Sequence, residues 1–130
     1  MKKALFIGGN GAIGTYLIKE ARAAGWAVDV VCMEETASND PFLRYIKHDA
    51  RDFAYMKALV NDRYDVIVDF MVYQPNPDDF HPFADLYMEK ANHYLWLSTY
   101  RVYGPSSPIT EKSPRLYDIT LPDDFVRYGE

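Results

Sequence analysis

Near the start of the chain, Gly8-Gly9-Asn10-Gly11-Ala12-Ile13-Gly14 has the residue types and spacing to hold an anion. Glycine at Gly8 and Gly11 lets a backbone turn tightly and come close to a pyrophosphate. Gly14 lets a following helix lie close on a sheet, and the unpaired N–H groups at that helix's N-terminus face the negative charge. Gly8, Asn10, Gly11, Ala12, Ile13 and Gly14 are therefore candidate cofactor contacts. Glu34 follows roughly 20 residues past the glycines, the distance at which an acidic side chain meets the ribose of a dinucleotide. Glu34 and Glu35 read equally well as solvated loop charges. No Arg or Lys lies between Gly25 and Arg44 to grip a 2′-phosphate, so the pattern leans toward NAD over NADP. Cys32, His48, His81 and His93 lack metal-ligand spacing, and no metal site is expected.

These residues need elements to position them. Ala4-Leu5-Phe6-Ile7 reads as a strand running into the glycine turn, and a helix follows with Ile13, Leu17, Ala21 and Ala24 as its apolar stripe and Gly25 as its stop. Trp26 to Cys32 reads as a second strand. The polar stretch Thr36 to Asp40 leaves the next crossover helix short or missing. Arg44 to Asp49 is a short third strand ending at an acidic residue. Asp52 caps a helix carrying Phe53, Met56, Leu59 and Val60. Tyr64 to Val72 is the strongest strand, a β-branched run of the kind buried on both faces of a parallel sheet, and is expected to be central. Asp69 is odd within it: if buried, it needs a hydrogen-bond partner or a raised pKa, and structural and functional roles stay open. After Pro75 and Pro77 comes a helix with Phe80, Phe83, Tyr87 and Ala91 at helical spacing, then a fifth strand from His93 to Thr99. Strands alternating with helices give an α/β doubly wound parallel sheet of Rossmann type, five strands in the order 3-2-1-4-5. Residues 1–104 form this domain, and 105–130 are an irregular, proline-rich tail.

At 130 residues the chain has room for one core but not for a dinucleotide domain plus a separate substrate domain. A net charge of -5 and the absence of a basic tract argue against nucleic acid as a partner. No apolar run approaches membrane-spanning length, the start lacks a secretory signal core, and one cysteine excludes an internal disulfide. A cytoplasmic protein with no membrane partner is expected.

Gly8-x-x-Gly11-x-x-Gly14, His48-Asp49-Ala50-Arg51-Asp52, Asp65-Val66-Ile67-Val68-Asp69 and, above all, Ser98-Thr99-Tyr100-Arg101-Val102-Tyr103-Gly104 resemble the extended short-chain dehydrogenase/reductases, whose "SSxxVYG" strand end the last segment matches. That family includes NAD-dependent epimerases, dehydratases and reductases. The resemblance implies that Asp49 bonds the adenine amino group with Ala50 beside the ring, and that Phe70, Met71 and Val72 pass along the ribose and pyrophosphate. It implies that Thr99 is the catalytic Ser/Thr holding the substrate oxygen, with Ser98 beside it.

The family's proton relay is a Tyr followed four residues later by Lys, because an unassisted phenol titrates near pH 10. None of the eleven tyrosines here has that Lys. The expectation is an N-terminal part of a longer enzyme that acts by hydride transfer at a hydroxyl-bearing carbon, a nucleotide sugar being one candidate substrate, and that binds NAD or NADP but does not turn over alone. Its exposed sheet edge makes self-association expected. The alternatives are a non-catalytic dinucleotide sensor and a Rossmann-fold protein kept for binding RNA or protein.

Overall fold

Alternation along the first strand decides the layering. In β1 (Lys3–Ile7), Ala4 and Phe6 point to one side of the sheet and Leu5 and Ile7 to the other, and all four are buried. A strand buried on both faces must lie between helical layers. The computed structural model describes residues 1–73, 76–99 and 102–115. One compact unit runs from Met1 to Leu97, and a second begins at Ser98.

In the first unit β1 is followed by α1 (Ala12–Ala23), β2 (Ala27–Cys32), β3 (Leu43–Lys47), α2 (Phe53–Leu59), β4 (Tyr64–Asp69), a 3₁₀ turn (Pro77–Asp79), α3 (Phe80–Lys90) and β5 (Ala91–Trp96). The sheet is parallel throughout, in the order β3-β2-β1-β4-β5, as the sequence predicts. The crossover from β2 to β3 carries no helix. Met56 of α2 and Phe83, Leu86 and Tyr87 of α3 join Leu5, Ile7 and Ile67 in the larger core. On the opposite face Ile18 of α1 packs with Ala4, Phe6, Val28, Val30 and Val68. Each fully buried Leu or Ile contributes roughly 1.5–3 kcal/mol. The face covered by α1 alone thins toward β5, where Leu95 and Leu97 are exposed.

Several boundaries and faces differ from the sequence reading. The buried face of α1 is Gly14 and Ile18, with Leu17 and Ala21 half-buried, while Ile13 is 60% exposed. The helix is rotated because Gly14, not Ile13, must face the preceding turn. β4 lies between β1 and β5, inside the sheet as expected, but ends at Asp69 rather than Val72. β3 ends at Lys47, so Asp49 lies beyond it. Ala91 opens β5 instead of closing α3, and β5 stops at Trp96 instead of Thr99. Asp52 does cap α2, accepting the Tyr55 N–H at 3.1 Å.

In the second unit Tyr103 and Arg115 form an antiparallel bridge, with the Gly104 N–H donating to the Pro114 carbonyl at 2.7 Å. Ser113 gathers the hydroxyls of Ser106 and Thr110. Tyr100, Arg101, Tyr117 and Tyr128 lie outside the described residues.

Candidate functional site

Four backbone bonds carry the ladder past the strands' C-terminal ends. The Gly8 N–H donates to Val31 at 2.8 Å, Phe70 to Ile7 at 2.9 Å, His48 to Cys32 at 3.0 Å and Leu97 to Asp69 at 2.9 Å. The segments following β1, β3, β4 and β5 are thereby fixed along one edge of the sheet. Gly8–Gly14, Asp49, Ala50 and Phe70–Val72 lie on the segments after β1, β3 and β4 or at their junctions, and Glu34 lies at the same edge on the loop after β2.

The glycine turn is built for a close approach. Gly8 has φ +72°, a left-handed conformation that a side chain disfavours. A Cβ on Gly14 would stand 1.9 Å from the Gly9 carbonyl oxygen, so no larger residue fits there. The close contact is with the turn itself, where the sequence reading placed it on the sheet. Gly9 is a third constrained position that the spacing did not single out, since its Cβ would meet the Phe6 Cβ at 2.7 Å. Gly11 is different: a Cβ there meets nothing within 4 Å. It caps α1 in extended conformation with no side-chain hydrogen bond and no acidic residue in the first turn. The N–H groups at the start of α1 have no intrahelical acceptors, so the helix presents unmasked donors and its positive dipole end. These residues fit the pyrophosphate of a dinucleotide.

Asn10 and Glu34, 24 positions apart, are joined by the Asn10 amide donating to the Glu34 carboxylate at 3.3 Å. Glu34 lies two residues past β2, exposed. Beside it is a cation the sequence spacing missed: Lys47, opposite Cys32 in the β2–β3 register, stands 3.5 Å from Glu35. Cys32 is buried and donates its thiol to the Glu34 carbonyl, and burial pushes that thiol up. Asp49 is held by Arg51, whose backbone N–H donates at 2.9 Å and whose guanidinium donates at 3.2 and 3.3 Å. The guanidinium keeps the Asp49 carboxyl below the usual carboxylate range. Ala50 is only 4% exposed, within the core.

Past β4, Phe70 is half-buried with its ring edge-on to Phe6, and Met71 places its sulfur 3.4 Å from the position of a Cβ on Gly8. Val72 is exposed. Beneath them Asp69 is fully buried and accepts three hydrogen bonds, from the Met71 N–H and the Tyr73 and Tyr94 hydroxyls. Burial pushes its carboxyl up, and these donors offset part of the rise. Ser98 and Thr99 belong to the second unit. Both are exposed, and the Thr99 carbonyl accepts the Val102 N–H at 3.3 Å. Among the described residues no group of His, Cys, Asp and Glu is placed to hold a metal, and no helix is long and apolar enough to cross a membrane.

No protein-family profile matches this sequence, and no curated protein matches it significantly. Solved structures do match in fold. The UDP-Glc/GlcNAc 4-epimerase of Campylobacter jejuni superposes with a TM-score of 0.73 at 20% identity, over 88% of this chain and 43% of the epimerase. The dTDP-glucose 4,6-dehydratase of Bacillus anthracis, solved with NAD, gives 0.73 at 16% identity, over 98% of this chain and 47% of the dehydratase. The Bordetella bronchiseptica enzyme WbmG, solved with NAD and UDP, gives 0.68 at 20% identity, over 86% and 43%. The chain thus has the Rossmann-like fold of the N-terminal part of NAD-dependent epimerases and dehydratases, and spans about half the length of the structures it matches.

Proposed function

We propose that this chain binds NAD and is the cofactor-holding part of an epimerase, dehydratase or reductase acting on a hydroxyl-bearing carbon, with a nucleotide sugar as the substrate class. The observation that carries the reading is the start of α1: an uncapped helix N-terminus behind a glycine with open space before it. The pyrophosphate sits there, with Glu34 toward the adenosine ribose and Asp49 toward the adenine. The Glu34 carboxylate favours a ribose diol over a 2′-phosphate, while Lys47 nearby works the other way, so the preference for NAD is a modest one. Bound NAD supplies a hydride acceptor. Thr99, by the family resemblance, holds the substrate oxygen, with Ser98 beside it. With no Tyr followed four residues on by Lys, these 130 residues hold cofactor without turning over.

Gly11→Val tests the site, because its side chain meets no protein atom at the Cβ position yet fills the approach to the helix. Calorimetric titration with NAD and NADP is expected to show saturable binding by the parent, tighter for NAD. In the variant, binding weakens at least about a hundredfold while thermal stability drops by under about 1 kcal/mol. A folded parent that binds neither dinucleotide ends the proposal.

A further inference from the structure

The cofactor reading leaves two buried carboxyl groups unused, Asp29, which pairs with Lys3 and Arg44, and Asp69, which pairs with no cation among the described residues. Asp69 is the last residue of β4 and is fully buried. One of its carboxylate oxygens accepts the Met71 N–H at 2.9 Å, and the other accepts the Tyr73 and Tyr94 hydroxyls at 2.8 and 2.9 Å. Among the described residues no lysine or arginine pairs with it. Burying a carboxylate without a cation costs stability, so a plain packing role would be filled better by an apolar side chain.

What the carboxylate touches explains its place. Two of its donors, Met71 and Tyr73, belong to the loop that also carries Phe70 and Val72. The third, Tyr94, reaches it from β5. From the same strand Trp96 donates its indole N–H to the Met71 carbonyl at 3.4 Å. The Tyr73 ring then lines a cleft of about 210 Å³ together with Arg51, Asp79 and Phe83. Arg51 is the side chain that clamps Asp49. The carboxylate thus fixes the loop after β4, and through Tyr73 that loop shares a cleft with Arg51 of the loop after β3.

We infer that Asp69 is a positioning residue for dinucleotide binding: through Met71, Tyr73 and Tyr94 it holds residues 70–73 where the nucleotide must meet them. The inference rests on the dinucleotide reading above. Tyr94→Phe removes one donor to the carboxylate and changes no residue of the loop or of the glycine turn. Tyr64→Phe is the control, removing a phenol of the same kind from Asp29 in the other half of the sheet. Each whole chain is titrated with NAD, and its thermal unfolding and tryptophan emission are recorded. Tyr94→Phe is expected to raise Kd roughly tenfold and to shift the emission of Trp96, while Tyr64→Phe loses similar stability and keeps Kd within about twofold of the parent. Asp69→Asn, where it folds, moves Kd the same way; where it does not, Tyr94→Phe decides alone. An unchanged Kd in Tyr94→Phe overturns the inference and leaves the dinucleotide reading standing. Equal weakening by Tyr94→Phe and Tyr64→Phe also overturns it, since global loosening then explains both. A folded parent that does not bind NAD overturns both readings together.

Discussion

Asp29 and Asp69 are the buried carboxylates of this sheet, on the same face, and they are solvated by the protein in opposite ways. Asp29, in the N-terminal half of β2, is met by the Arg44 guanidinium at 2.8 and 3.0 Å, by the Tyr64 hydroxyl at 2.8 Å and by the Lys3 ammonium at 3.2 Å. Burial alone would raise its carboxyl, but Arg44, Tyr64 and Lys3 outweigh it and leave the group below its usual range. Asp69, at the C-terminal end of β4, has two phenols and one amide, and burial wins. Cation pairing stabilises a charge where nothing else has to happen. Beneath the loop proposed to meet the dinucleotide the protein keeps a carboxyl group held only by neutral donors, two of them on the loop itself. On the proposed dinucleotide reading, the difference separates a part of the sheet that serves folding from one that serves placement.

The comparison can be broken most forcefully at Asp29. Asp29→Ala strands the Tyr64 hydroxyl and both cations, and is expected to cost about 2–3 kcal/mol in chemical denaturation, with the affinity of the folded fraction for NAD unchanged. The cost is held to that range because Arg44 and Lys3 are partly exposed and regain water.

The pH dependence comes next in size, and its sign differs between the two. The Asp29 pKa is lower folded than unfolded, so its stabilisation is present above the ordinary value of 3.8 and is lost as pH falls through the folded value. The Asp69 pKa is higher folded than unfolded, so its contribution is complete below 3.8 and is lost as pH rises through the folded value. Asp69→Asn should therefore flatten the fall in stability on the way up from pH 3.8, and Asp29→Asn the fall below it. Urea titrations at a series of pH values check both slopes. Identical slopes in the two variants would remove the distinction.

The smallest effect sharpens the contrast. The Tyr87 hydroxyl is buried without a hydrogen-bond partner among the described residues. Burial pushes the Tyr87 phenol up and the nearby Tyr73 phenol offsets part of that rise, yet no bond of acceptable geometry joins the two. Tyr87→Phe is accordingly expected to be neutral or to stabilise by up to about 1 kcal/mol, read from the thermal midpoint, whereas Tyr94→Phe is destabilising.

How much of this was legible in the sequence follows from the range of each interaction. The glycine turn, the cap by Asp52 and the strand order depend on neighbours in the chain or on simple alternation, and all are readable. Asp69 is visible as an anomaly in an apolar run, but its partner Tyr94 lies 25 residues away and is brought in only by the register of β4 with β5. Asp29 gives no signal at all. Its partner Arg44 becomes a partner because the two residues are opposite in the β2–β3 register. The face of α1 was misread by one position because Ile13 is apolar and Gly14 is not, yet the fit of Gly14 against Gly9 sets the rotation. The end of β4 was misplaced because Phe70, Met71 and Val72 look like strand, while the Asp69 side chain takes the Met71 N–H.

The junction between α3 and β5 has a consequence for how the gene tolerates insertions and deletions. Lys90 ends the helix and Ala91 begins the strand with no residue between them. One codon added there would slip β5 by a position and, because side chains alternate along a strand, turn Tyr94 to the far face and away from Asp69. A codon added at exposed Ala37, in the helix-free crossover, disturbs no strand register. Length variation in this fold is expected to accumulate at the second position and to be purged at the first.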